Sequence, residues 1–181
     1  MALDNVAELS QVLAKRERLG QVFARHAYGM RAWVDLFSAR VPSVAEPQAK
    51  ALVAQLVADN ARHMLLFRER AIAHGVDPDA YDCPPEGEVI YERIDELGGL
   101  DELAGYALGS LDHFSELLAV YRAAADGEDR AAIDEVTADV RRMRAALAPL
   151  TAGGGARWAA EAHELYRVRE LVETPRYAHA G

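Results

Sequence analysis

Four histidines, His26, His63, His113 and His163, fall in the middle of four different stretches of helical apolar spacing. Imidazoles that reach a bundle interior from facing helices are how helical proteins build metal sites. His26 stands four residues before Met30 and seven before Trp33, on a packing stripe. His63 shares a face with Leu56, Asn60 and Phe67. Both lie about equally far from the Pro42–Pro47 turn, so an antiparallel hairpin sets them at a similar height. His113 is beside Phe114, with Glu116 one turn on, and can present an imidazole and a carboxylate from one face. His163 is flanked by Glu161 and Glu164. The plainer alternative makes each histidine a hydrogen-bonded neighbour of the core and each acidic edge a solvated face.

The elements that must position these residues are all helical. Apolar spacing predicts one helix from about Asp4 to Val41, ended by Pro42. Ser43 to Glu46 fits a capping box, with Pro47 in the first turn of a second helix that stops at His74-Gly75. Residues 76–99, rich in Pro and Gly, read as a long crossover in which only Glu88 to Leu97 could form a short helix. The third helix, Leu100 to Ala125, has the stripe Leu103, Ala107, Leu111, Phe114, Leu118 and Tyr121. Gly105 and Gly109 cost it helix propensity, for which close approach to a neighbour is the return. After the Asp126-Gly127 corner, Ile133, Val136, Val140, Met143, Leu147 and Leu150 form a clean seam. The position mirroring His113 across that corner is near Val140, so this helix offers no ligand. A last helix, Ala156 to Glu173, carries Trp158, Ala162, Leu165, Val168 and Val172, and Thr174-Pro175 stops it. The expected fold is all-α: one domain, residues 1–181, an up-down four-helix bundle with a crossover over 76–99 and an extra C-terminal helix.

Composition narrows the function. The chain has 181 residues and a net charge of −9, which argues against duplex nucleic acid or an anionic membrane as partner. No stretch approaches the ~20 apolar residues of a membrane helix, and Met1 to Asn5 opens no signal peptide, so the expected location is cytoplasmic. The single cysteine, Cys83, excludes an intrachain disulfide and a Cys-rich zinc site, and reads as a passive loop thiol. Long helices with one apolar seam each fit a homodimer. Phe23, Met30, Trp33, Phe37, Met64 and Phe67 could line a pocket for an apolar small molecule or be plain core. No phosphate loop or hydrolase nucleophile motif occurs.

The run Asp59-Asn60-Ala61-Arg62-His63-Met64-Leu65-Leu66-Phe67-Arg68-Glu69-Arg70 resembles the second helix of the ferritin-like superfamily, where Glu-x-x-His precedes an apolar run. In that family two helices each give Glu-x-x-His and two others a glutamate, holding two iron or manganese ions. By this resemblance His63 matches the histidine, Asn60 the bridging glutamate and His26 the first-helix glutamate, and Ala160-Glu161-Ala162-His163 could be a second copy. No intact Glu-x-x-His occurs in the chain. Two divalent ions ~3.5–4 Å apart need bridging carboxylates, which an amide and a neutral imidazole do not supply. The expectation is therefore one iron, manganese or zinc ion, drawn from His26, Asn60, His63, His113 and Glu116, or no metal. Three functions follow: a divergent metal-dependent oxidoreductase or hydroxylase, a non-catalytic binding or scaffolding module, and a small-molecule-binding bundle.

Overall fold

The computed structural model describes residues 12–83 and 85–178, with side chains for 12–83 and 87–169. Among these residues there are six α-helices and no strand: α1 Leu19–Arg40, α2 Pro47–Ala73, α3 Pro85–Asp95, α4 Leu100–Ala124, α5 Gly127–Leu147 and α6 Gly155–Ala178. The expected helix start at Asp4, His179 and the side chain of Val172 lie outside them. The chain divides into two compact units, Gly20–Asp82 and Met1–Leu19 with Cys83–Gly181. No helix among the described residues is long and apolar enough to cross a membrane.

The expected continuous rod from Asp4 to Val41 is interrupted. Lys15 is extended, and a 3-10 turn over Arg16–Arg18 precedes α1. Leu13 and Leu19, on either side of this charged run, are both fully buried. Residues six apart on an uninterrupted helix point about 120° away from each other. Breaking the helix at the charged run lets both leucines enter the core.

In the Gly20–Asp82 unit, α1 and α2 form the expected hairpin. Phe23 and Phe67 meet edge to face at 5.0 Å between ring centroids. That pairing fixes an antiparallel register in which His26 faces Met64 and Ala27 faces His63. Glu46 caps α2, accepting from Gln48 N at 3.1 Å and Ala49 N at 2.6 Å, while Pro47 occupies its first turn. The expected Ser43–Glu46 capping box is not what forms. The Ser43 hydroxyl instead donates back to Arg40 O at 2.8 Å. Gly75, with φ of +74°, closes α2 as Gly75 N and Val76 N return to Ile72 O and Ala71 O.

In the other unit α4 is central. Arg122 pairs with Asp134 at 2.6 Å and Arg144 with Asp112 at 2.5 Å, which sets α4 and α5 antiparallel. In that register Met143 lies opposite His113, one helical turn from the expected Val140. Ile133, Val136, Val140, Met143 and Leu147 are buried as their spacing predicts. On α4 the buried face is wider than the expected stripe. Leu103, Ala107, Leu118 and Tyr121 are buried, but so are Tyr106, Gly109, Ser110, His113 and Leu117, while Leu111 and Phe114 are half-buried. The cause is that α4 packs against α5 on one side and α6 on the other.

Helix α3 opens at Pro85, three residues before the expected start, and lies against α4 and α6. The Tyr106 hydroxyl donates to Ile90 O at 2.6 Å, and burial first of all raises its pKa. Arg93 Nε donates to Glu161 Oε1 at 3.0 Å. Helix α6 does not stop at Thr174-Pro175 but runs to Ala178. Pro175 lacks an amide N–H, yet in the last turn this removes a single ladder bond.

Candidate metal centre

The site begins with two glycines. A Cβ on Gly105 would lie 2.7 Å from Gly155 Cα, and one on Gly109 would lie 2.9 Å from Ala159 Cα, each also pressing on the carbonyl of that residue. Only glycine allows α4 and α6 to come this close. The facing pairs, Gly105 with Gly155 and Gly109 with Ala159, keep a constant offset of fifty positions, so the two helices run parallel. One turn further along each helix the same offset brings His113 opposite His163. Their rings stand 5.6 Å apart and nearly perpendicular, at 88°.

Glu116, one turn beyond His113 on the same face, completes the group. Its Oε1 lies 3.1 Å from His163 Nε2, and its Oε2 lies 3.9 Å from His113 Nδ1. One ligand atom from each residue falls within 4.8 Å of the others. Side-chain exposure is graded, with His113 at 4%, His163 at 33% and Glu116 at 58%. The carboxylate is outermost, and one imidazole is anchored in the packed seam. The Tyr166 ring lies 6.4 Å from that of His113.

Neighbouring acids are engaged elsewhere. Asp112, beside His113, pairs with Arg144 of α5, and Glu161 pairs with Arg93 of α3. Glu164 is gripped by Arg167 at 2.6 and 2.7 Å, and those hydrogen bonds hold its carboxyl below the usual glutamate range. Glu116 is the acid that faces both imidazoles.

The donor chemistry fits one borderline divalent ion. Two imidazole nitrogens and one carboxylate are a common zinc set and also the facial triad of non-haem iron sites. Donors bound at about 2.1 Å with angles between 90° and tetrahedral stand roughly 3.0–3.4 Å apart. The Glu116 Oε1–His163 separation is already in that range, while the 3.9 Å from Oε2 to His113, in a group that closes only to within 4.8 Å, requires the side chains to draw together around an ion.

The other expected ligands belong to the α1–α2 hairpin. His63 is buried, and His26 and Asn60 are half-buried. The Asn60 amide donates to Leu56 O at 2.8 Å, within its own helix. Asp59 is buried and accepts from Gln55 Nε2 at 3.1 Å and Arg62 Nη2 at 3.3 Å. The structure thus joins His113 and Glu116 to His163, a residue named in the sequence without a place in the expected ligand set. The signal for it was the spacing of small residues, Gly105 and Gly109 before His113 and Gly155 and Ala159 before His163.

Cys83 also has company that its loop sequence did not suggest. The guanidinium of buried Arg169 lies over the Tyr91 ring and brings Nη2 to 3.9 Å from the Cys83 sulfur. Against known proteins, the chain matches no family model, no curated relative and no solved structure.

Proposed function

We propose that this protein is a helical metalloprotein that holds one divalent transition-metal ion through His113, Glu116 and His163, with metal-dependent oxidoreductase or hydroxylase chemistry as its activity class. The observation that carries this reading is the convergence of two imidazoles and the Glu116 carboxylate across the glycine-lined α4–α6 seam. His113, locked in the packed seam, fixes the position of the site. His163 and Glu116 close on it from the solvent side. Three protein donors leave coordination positions for water or substrate, and a bound ion there would act as a Lewis acid or a redox centre.

This ligand set replaces the glutamate-rich one that a ferritin-like ancestry implies, and a ferritin-like bundle remains the proposed wider layout. Asn60 supports the change, because an amide brings no charge to a metal and its Nδ2 donates within its own helix to the Leu56 carbonyl. On this reading His63 and Asn60 are structural polar residues of the hairpin.

Metal content by plasma mass spectrometry, on tag-free protein grown with iron, manganese and zinc, tests the proposal. The expected result is a near-stoichiometric ion that disappears in His163→Ala and Glu116→Gln and persists in His63→Ala. Loss in His63→Ala with retention in His163→Ala would move the site to the hairpin. Metal-free wild-type protein would remove the reading, and an oxygen-consumption screen has a purpose only if metal is found.

A further inference from the structure

Helix α2 turns to solvent a face that is apolar along most of its length. Leu65 and Ile72 are 61% and 60% exposed, the most open large apolar side chains among the described residues. They stand seven residues apart, and residues at that spacing point within about 20° of one another. The same heptad register runs back through exposed Ala58 and Ala51, with exposed Ala54 and half-buried Ala61 at the alternate positions. Glu69 is the exposed acid of this face. Its neighbours three and four residues away are Leu65, Leu66, Ile72 and Ala73, so its own helix offers it no cation. Among the described residues it forms no ion pair.

We infer that this face binds a second copy of the chain, α2 packing antiparallel on its counterpart about a two-fold axis at Leu65. Such an axis sets residues equally far before and after Leu65 opposite each other. Ile72 then lies on the partner's Ala58, so a large side chain meets a small one at both ends and the helices stay evenly spaced. A parallel pair would stack Ile72 on its own copy and Ala58 on its own copy, and the helices would splay. Charge selects the same arrangement. At 100° per residue Arg62 and Glu69 lie about 60° and 40° to one side of Leu65, three residues before it and four after it. The axis therefore brings each Glu69 beside the partner's Arg62. Arg62 bonds Asp59 at 3.3 Å with 44% of its side chain exposed, and a guanidinium with five donors can serve two carboxylates. Arg68, on the other edge, is clamped to Asp79 by hydrogen bonds of 2.6 and 2.7 Å. The chain carries a charge of −9, yet the acids of α2 are buried Asp59 and Glu69 alone, so two copies meet here without massed carboxylates.

Sedimentation equilibrium of the full chain over about 1–500 μM, with chelator present so that no metal bridges the copies, tests the inference. One helix pair buries less than the ~1,200 Å² of a standard interface, so reversible dimerisation with Kd on the order of 10 μM is expected. Leu65→Glu and Glu69→Arg, both at exposed positions, should each weaken it at least about tenfold, and adding Arg62→Glu to Glu69→Arg should restore it. Circular dichroism checks that each variant folds. If Arg62→Glu unfolds the chain through Asp59, disulfide cross-linking in a Cys83→Ser background decides the register instead. Ala58→Cys should then cross-link with Ile72→Cys, and neither with itself. A monomer throughout, dimerisation that Leu65→Glu leaves unchanged, a folded double variant that stays weak, or Ala58→Cys cross-linking to itself overturns the inference. None of these outcomes depends on metal at His113.

Discussion

At the residue scale, charge partners decide which groups remain available for chemistry. Of the acids around the two facing histidines, Asp112, Glu161 and Glu164 each have an arginine, and Glu116 faces the imidazoles. The same logic sets the titration of the surface carboxylates. Arg68, Arg122 and Arg167, each through a side-chain hydrogen bond first, hold Asp79, Asp134 and Glu164 below their ordinary pKa. A carboxyl whose folded pKa is depressed contributes stability that is present above its unfolded pKa and is lost as pH falls through its folded pKa. These three pairs therefore help the fold at neutral pH, and their contribution starts to fade near pH 4 and is gone once the pH has fallen through the depressed carboxyl pKa values. Carboxyl-carbon NMR should show Asp79 titrating below ordinary aspartate in the wild type and returning upward in Arg68→Gln. An unshifted Asp79 in the wild type would mean that the clamp does not persist in solution. The histidines were legible as candidates from position alone, but the meeting of His163 with His113 and Glu116 was not, because it depends on which acid each ring meets.

At the element scale, the parallel α4–α6 seam is the feature on which the site depends. Gly109→Ala gains helix propensity of up to about 1 kcal/mol but drives a methyl into the Ala159 backbone. Overpacking of this kind costs about 1–3 kcal/mol, so net destabilisation in urea melts is expected. Because Gly109 and Ala159 lie one turn before His113 and His163, metal stoichiometry should fall as well. Unchanged stability in Gly109→Ala would show that the helices are not in backbone contact. The α5 seam behaves as ordinary core. Ile133 is fully buried, and Ile133→Ala should cost about 2–5 kcal/mol. Both features could be seen in the sequence, the seam as 3–4 spacing and the glycines as a cost in need of a return. The identity of the neighbour could not, because a glycine pair specifies close approach and not the partner.

At the scale of the whole molecule, an ion bound only by the folded chain stabilises it by mass action. At a free concentration one hundred times the dissociation constant the gain is about 2.7 kcal/mol. For a chain of this length that corresponds to a rise in Tm of roughly 5–10 °C, at 2–4 °C per kcal/mol. Chelation should remove the rise, and His163→Ala should lack it from the outset. Added amide-exchange protection is expected on α4 and α6 around His113 and His163. No shift with zinc, iron or manganese would leave the histidines as packing residues.

The sequence alone determined that the chain is helical, where most helices begin and end, and the buried seam of α5, since these follow from 3.6-residue periodicity and from Pro and Gly acting locally. It also placed His26 and His63 at matched heights, because a short turn makes hairpin register a matter of counting. It misread the first helix, whose break at Lys15 lets Leu13 and Leu19, about 120° apart on an unbroken helix, both be buried. The tertiary structure decided that α4 and α6 run side by side in parallel, with an offset of fifty residues and two intervening turns. Contacts between helices so far apart in sequence are set by the fit of whole faces, and no local pattern encodes that fit. His113, Glu116 and His163 meet only because those faces dock.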